Sequence, residues 1–91
     1  MYEIRIKKQF QKDLKRVAKR GNNIDKLETI IGHLQKGQEL ERKHKSHQLK
    51  GIWKPCWECH IVPDWLLIWD YSDDGRDLML VRTGSHSDLF E

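Results

Sequence analysis

The chain has 91 residues, 37% of them hydrophobic and 34% charged, which allows one small domain with a carefully placed core. No apolar run approaches the ~18 residues of a membrane span. The first residues lack the apolar segment of a signal peptide, and two cysteines do not make a disulfide framework, so a cytoplasmic location is expected.

Charge is unevenly divided along the chain. Residues 1–50 hold 14 Lys/Arg against 6 Asp/Glu, and residues 51–91 hold 3 against 8. A basic half joined to an acidic half points to a polyanion-facing surface.

Tyr2, Ile4 and Ile6 alternate with Glu3, Arg5 and Lys7, the period of a short half-buried strand. From Lys8 the period lengthens. Phe10, Leu14, Val17 and Ala18 form one helical stripe, and Gly21 is suited to end that helix. Asn22 and Asn23 offer caps for a second helix, with Asp25 in its first turn. Ile24, Leu27, Ile30, Ile31 and Leu34 give its apolar face, and Gly37 ends it. The short link predicts an antiparallel helical hairpin. Residues 38–50 are polar and aperiodic, and read as an exposed connection.

Three strands are predicted next. Trp57 to Ile61 is one, and Trp65 to Tyr71 is a nearly continuous apolar run suited to a central strand covered on both faces. Pro63-Asp64 marks the turn between them. Ser72-Asp73-Asp74-Gly75 is a turn before Leu78 to Val81. The tail from Arg82 leaves the strand and ends in a helical turn. The order β-α-α-β-β-β predicts an α+β domain spanning residues 1–91, with an antiparallel sheet and the helical hairpin packed on one face.

Cys56-Trp57-Glu58-Cys59-His60 matches the bare C-x-x-C-H pattern of haem attachment. Haem attachment normally needs export and a helical pocket, neither of which is expected here, and Met1 and Met79 are poor axial ligands. Strand residues three apart face opposite ways, which opposes both a redox pair and joint zinc ligation. No haem, metal or other cofactor is expected.

The remaining polar groups are more informative. If Trp57, Cys59 and Ile61 face one side of their strand, Glu58 and His60 face the other. His47 lies before it, Asp64 at the following turn, and His86 beyond the last strand. Histidines with a carboxylate form an acid–base kit usable near neutral pH. RNA cleavage needs that kit. A base takes the 2′-OH proton, an acid protonates the leaving 5′-oxygen, and cations stabilise the phosphorane. Arg82 is a candidate phosphate ligand, and Phe90 a candidate base-stacking residue. His33 and His44 are assigned no role. A metal site built from His47, His60 and His86 is the weaker reading of the same histidines.

Three segments carry a resemblance in one register: His47-Gln48-Leu49-Lys50-Gly51-Ile52-Trp53-Lys54, Glu58-Cys59-His60-Ile61-Val62-Pro63-Asp64-Trp65, and Arg82-Thr83-Gly84-Ser85-His86-Ser87-Asp88-Leu89-Phe90. Together they resemble the YafQ branch of the RelE/ParE toxin superfamily, toxins of type II toxin–antitoxin systems. The resemblance implies a RelE-like fold and a ribosome-dependent mRNA endoribonuclease (mRNA interferase) that cuts in the ribosomal A site without a metal. It implies as partners a cognate antitoxin, the ribosome with its rRNA, and mRNA. The implied catalytic set is His47, His60, Asp64 and His86, with His86 the general acid and the base open among the other three. Phe90 would pack on a substrate base, and Trp65 would either do likewise or support the site. Lys50, Lys54 and Arg82 would meet RNA, and the basic residues Lys12, Lys15, Arg16, Lys19, Arg20, Arg42, Lys43 and Lys45 would reach ribosomal phosphates. Glu58 stands where the best-known member has Asp, and no chemical role is assigned to it. A ParE-like toxin that inhibits DNA gyrase without catalysis is the alternative. It would need no such set of histidines.

Overall fold

A computed structural model describes residues 1–90. In chain order the elements are β1 (Glu3–Ile6), α1 (Lys8–Lys19), α2 (Ile24–Gln35), β2 (His47–Gln48), β3 (Trp57–Val62), β4 (Trp65–Tyr71), β5 (Asp77–Gly84) and α3 (His86–Phe90), with single 3₁₀ turns at Arg42–His44 and Gly51–Trp53. Among the described residues, no helix is long and apolar enough to cross a membrane.

The helical hairpin forms as its sequence dictates. Asn23 caps α2, its side chain accepting the Asp25 N–H at 3.0 Å. Gly21 and Gly37 carry positive φ at the two helix ends, where the following N–H groups fold back onto Val17 and His33 carbonyls. Phe10, Val17, Leu27, Ile30 and Leu34 are buried against the sheet, whereas Ala18 of the expected stripe is exposed. One helical position breaks the apolar pattern: Asp13 is fully buried.

The five strands lie in the order β1-β5-β4-β3-β2. The sheet is mixed, not antiparallel throughout, because β1 pairs parallel with β5. The pairs β2–β3, β3–β4 and β4–β5 are antiparallel, so β1 runs with β5 and β3 and against β4 and β2. β2 is the second departure. It lies within the stretch read as a plain connection, and pairs His47 with Glu58 and Gln48 with Trp57.

β4 is central, with five successive buried residues from Trp65 to Trp69. Leu67 and Trp69 join the core under the helices. Leu66 and Ile68 face the opposite side and pack with Leu89, Leu49 and Trp53. A tight Pro63-Asp64 turn joins β3 to β4, with a register shift between His60 and Val62. Such a bulge re-aims neighbouring side chains, and here it lies beside His60.

Candidate functional site

Each of three histidines anchors one ring nitrogen and presents the other. His47 Nδ1 lies 2.8 Å from the Lys45 carbonyl, and His60 Nδ1 lies 3.2 Å from the Pro63 carbonyl. A carbonyl only accepts, so each Nδ1 carries the proton and Nε2 remains for chemistry. The two Nε2 atoms flank Glu58, at 3.6 Å and 3.8 Å from its Oε1. Glu58 is 5% exposed. Burial and this position between two rings make it a member of the site that the sequence reading left without a role. The pattern of alternating strand faces, which put Glu58 on the side of His60, was the available signal.

His86 begins α3. Its Nδ1 lies 2.8 Å from Asp64 Oδ1, and its backbone N–H donates to the same oxygen at 3.1 Å. These bonds from His86, side chain first, hold the Asp64 carboxyl below its ordinary value. Asp64 is therefore a carboxylate that only accepts, so His86 Nδ1 donates and Nε2 is free. The His86 and His60 ring centroids are 5.6 Å apart, and Phe90 lies 6.4 Å beyond His86. Phe90 remains partly exposed while its edge meets Trp53 at 5.5 Å.

Among the expected catalytic residues, the structure thus links His47 to His60 through Glu58, and sets His86 with Asp64 beside His60. His44, given no role from sequence, donates from Nδ1 to the His60 carbonyl at 2.6 Å. It ties the Arg42–His44 turn to β3 at the site. A cavity of about 630 Å³ lies between α2 and this loop and reaches His60.

Two expected RNA contacts are corrected. Trp65 is 3% exposed, its indole N–H donating to Thr83 Oγ1 at 2.9 Å, and Thr83 in turn donating to the Leu66 carbonyl. Its alternation on β4 turns it into the core, so it braces β4 against β5 and has no face free for a base. Arg82 donates from Nε and Nη2 to Asp13 at 2.7 and 3.2 Å, which directs its fork to a buried carboxylate instead of a phosphate. Lys50 and Lys54 are exposed on either side of the Gly51–Trp53 turn. Of the basic residues on α1, Lys12, Lys15 and Lys19 are exposed, while Arg16 and Arg20 face Asp88.

The thiols take no part in this arrangement. Cys59 is fully buried, which pushes its thiol up to about 12, and Cys56 is raised for the same reason. Among the described residues, no group of three or more His, Cys, Asp or Glu is arranged to hold a metal ion.

Residues 2–91 match the family described as bacterial toxin of type II toxin-antitoxin system, YafQ. The mRNA interferase toxin YafQ of Escherichia coli is 35% identical over 89 residues, covering 97% of this chain and 95% of that protein. The fold superposes on the crystal structure of the E. coli DinJ-YafQ toxin-antitoxin complex with a TM-score of 0.89 at 34% identity, covering 99% of this chain and 98% of that one. A metal-bound toxin from Helicobacter pylori gives a TM-score of 0.92 at 43% identity, covering 99% of this chain and all of that one.

Proposed function

The chain belongs to the YafQ family of type II toxins, and on that premise we propose that it is an mRNA interferase that cuts mRNA in the ribosomal A site by acid–base catalysis. One observation carries the reading. Three histidines each hold Nδ1–H on an oxygen and leave Nε2 for chemistry, with Glu58 beside the Nε2 atoms of His47 and His60 and Asp64 on Nδ1 of His86.

The chemistry follows from these protonation states. A neutral Nε2 can take the 2′-OH proton, so that the oxygen attacks the adjacent phosphorus. A charged imidazole can deliver a proton from Nε2 to the leaving 5′-oxygen. His86 suits the acid role, because the Asp64 carboxylate accepts its Nδ1–H, fixes its ring and leaves Nε2 to donate. Asp64 is then engaged, which leaves His47 and His60 as candidates for the base, with Glu58 supporting whichever ring takes the proton. The nucleophile belongs to the RNA itself, and no step is routed through a metal.

The site is open, with the Asp64 side chain 72% exposed. Water is excluded only when a larger surface covers it, which favours chemistry on the ribosome over chemistry on free RNA. Lys50 and Lys54 flank the turn whose Trp53 meets Phe90, and Phe90 is the candidate stacking surface for a substrate base. Exposed Lys12, Lys15 and Lys19 supply sequence-independent phosphate contacts. Residues 1–91 act as one toxin domain in the cytoplasm, restrained by an antitoxin as YafQ is found with DinJ.

A reconstituted translation reaction with mapped mRNA ends tests this. Cleavage at defined codon positions, dependent on ribosomes and lost in His86→Ala, is expected. Intact mRNA with the wild-type protein would sink the proposal and direct attention to gyrase supercoiling.

A further inference from the structure

We propose that Arg20 is a positioning residue for His86, acting through the carboxylate of Asp88. The inference rests on the nuclease reading of the site and adds a residue from α1 to it.

α3 has five residues, too few to hold a helix by local bonds alone. Its place is set by what its side chains grip. Ser85 and Asp88 form a reciprocal cap: the Ser85 N–H donates to Asp88 Oδ2 at 2.9 Å, and the Asp88 N–H donates to Ser85 Oγ at 3.1 Å. The same carboxylate takes two bonds from Arg20, Nη1 to Oδ2 at 2.6 Å and Nη2 to Oδ1 at 2.9 Å. Arg16 Nη1 stands 3.7 Å away. Leu89 fixes the other side of the short helix in the patch with Leu66 and Ile68.

Gly84 completes the arrangement. A Cβ there would come within 2.8 and 2.9 Å of Asp88 Oδ2 and Cβ, so only glycine lets the carboxylate sit this close. An exposed ion pair ordinarily contributes little. A two-pronged guanidinium–carboxylate bond is different, because it fixes orientation as well as distance. Here it orients the helix that sets His86 on Asp64 and Phe90 beside Trp53. An error of about 1 Å in such a group slows catalysis by up to ~100-fold.

The test uses the full chain with programmed ribosomes and compares Arg20→Gln, Asp88→Asn, the double variant and Arg20→Lys. Three quantities are measured: the single-turnover rate at saturation, the ribosome affinity, and the NMR signals of the His86 ring. Both single variants are expected to lose about tenfold in maximal rate at unchanged ribosome affinity. The double variant should be no worse than either single, Arg20→Lys should lie between, and the His86 signals should shift in all. If Arg20→Gln weakens ribosome affinity while Asp88→Asn cuts as fast as wild type, Arg20 is a phosphate contact and the proposal fails. Unchanged maximal rates with unchanged His86 signals also overturn it. A wild-type protein that does not cut counts against the nuclease reading, while the His86 signals still decide the role of Arg20.

Discussion

Asp64 Oδ1 accepts both the ring Nδ1–H and the backbone N–H of His86, at 2.8 and 3.1 Å. One oxygen thus fixes the tautomer of the ring and the start of the helix that carries it. Asp64→Asn replaces an obligate acceptor with a group that can also donate, and the preference for Nδ1–H is lost. The expected result is a fall of about 10²-fold in single-turnover cleavage, with ribosome binding retained. A quench-flow measurement on programmed ribosomes checks it.

The pH dependence of that contact has a definite sign. His86 lowers the Asp64 carboxyl from its ordinary value of 3.8, so the contact's contribution is complete above 3.8 and disappears only as pH falls through the lower folded value. Cleavage rates measured between pH 5 and 8 should therefore not change through Asp64, which stays charged throughout. Substituting His86 by Gln takes away the proposed proton donor and should alter the profile. A profile unaltered by His86→Gln would contradict the acid role.

Glu58 offers a second test because its Oε1 lies between two Nε2 atoms. Glu58→Gln keeps the volume and removes the charge that would stabilise a protonated His47 or His60. A tenfold or larger loss of maximal rate is expected, on the scale of a positioned acid–base partner, without loss of the folded state. Glu58→Asp should retain more activity than Glu58→Gln if charge is what matters. Parallel thermal melts separate this from misfolding.

Asp13→Asn should act on stability first. The carboxylate is fully buried and holds Arg82, the Thr83 N–H at 3.2 Å and Gln9. Removing the carboxylate leaves the partly exposed Arg82 without its charge-assisted hydrogen bonds, a cost of about 1.5–3 kcal/mol. Urea titration should show the midpoint falling by an amount consistent with that loss. A near-neutral result would mean that the solvent already at Arg82 compensates its charge when Asp13 is replaced.

The periodicity of the chain revealed most of this fold in physical terms. Apolar residues at helical spacing marked α1 and α2, and the unbroken run from Trp65 marked the strand buried on both faces. Direction and pairing were less visible. β1 and β5 are parallel neighbours from opposite ends of the chain, a pairing that no local pattern carries. His47 and Gln48 form a strand only because β3 offers them an edge. The candidate site was read by type and position, and His47, His60, Asp64 and His86 do gather near one another. What the sequence did not disclose was allegiance. Trp65 and Arg82 have the chemistry to meet RNA, but Thr83 and Asp13 hold them. Glu58 and His44 looked ordinary until the tertiary structure put them against the histidines.

Asp88 gives the last prediction, on acid stability. The bonds from Arg20, then those from Ser85, hold its carboxyl far below the ordinary 3.8. A carboxyl depressed in the folded state stabilises that state fully above its unfolded value, and the contribution is lost as pH falls through the folded one. Wild type and Asp88→Asn should therefore differ by a constant amount in unfolding free energy from pH 7 to about 5. The gap should narrow below 3.8, as protonation removes from wild type what the substitution has already removed. Arg20→Gln should show the same narrowing, since it takes away the main cause of the depression. Urea midpoints at pH 7, 5, 4 and 3 measure it, and a gap that stays constant down to pH 3 would mean that the ion pair does not form in solution.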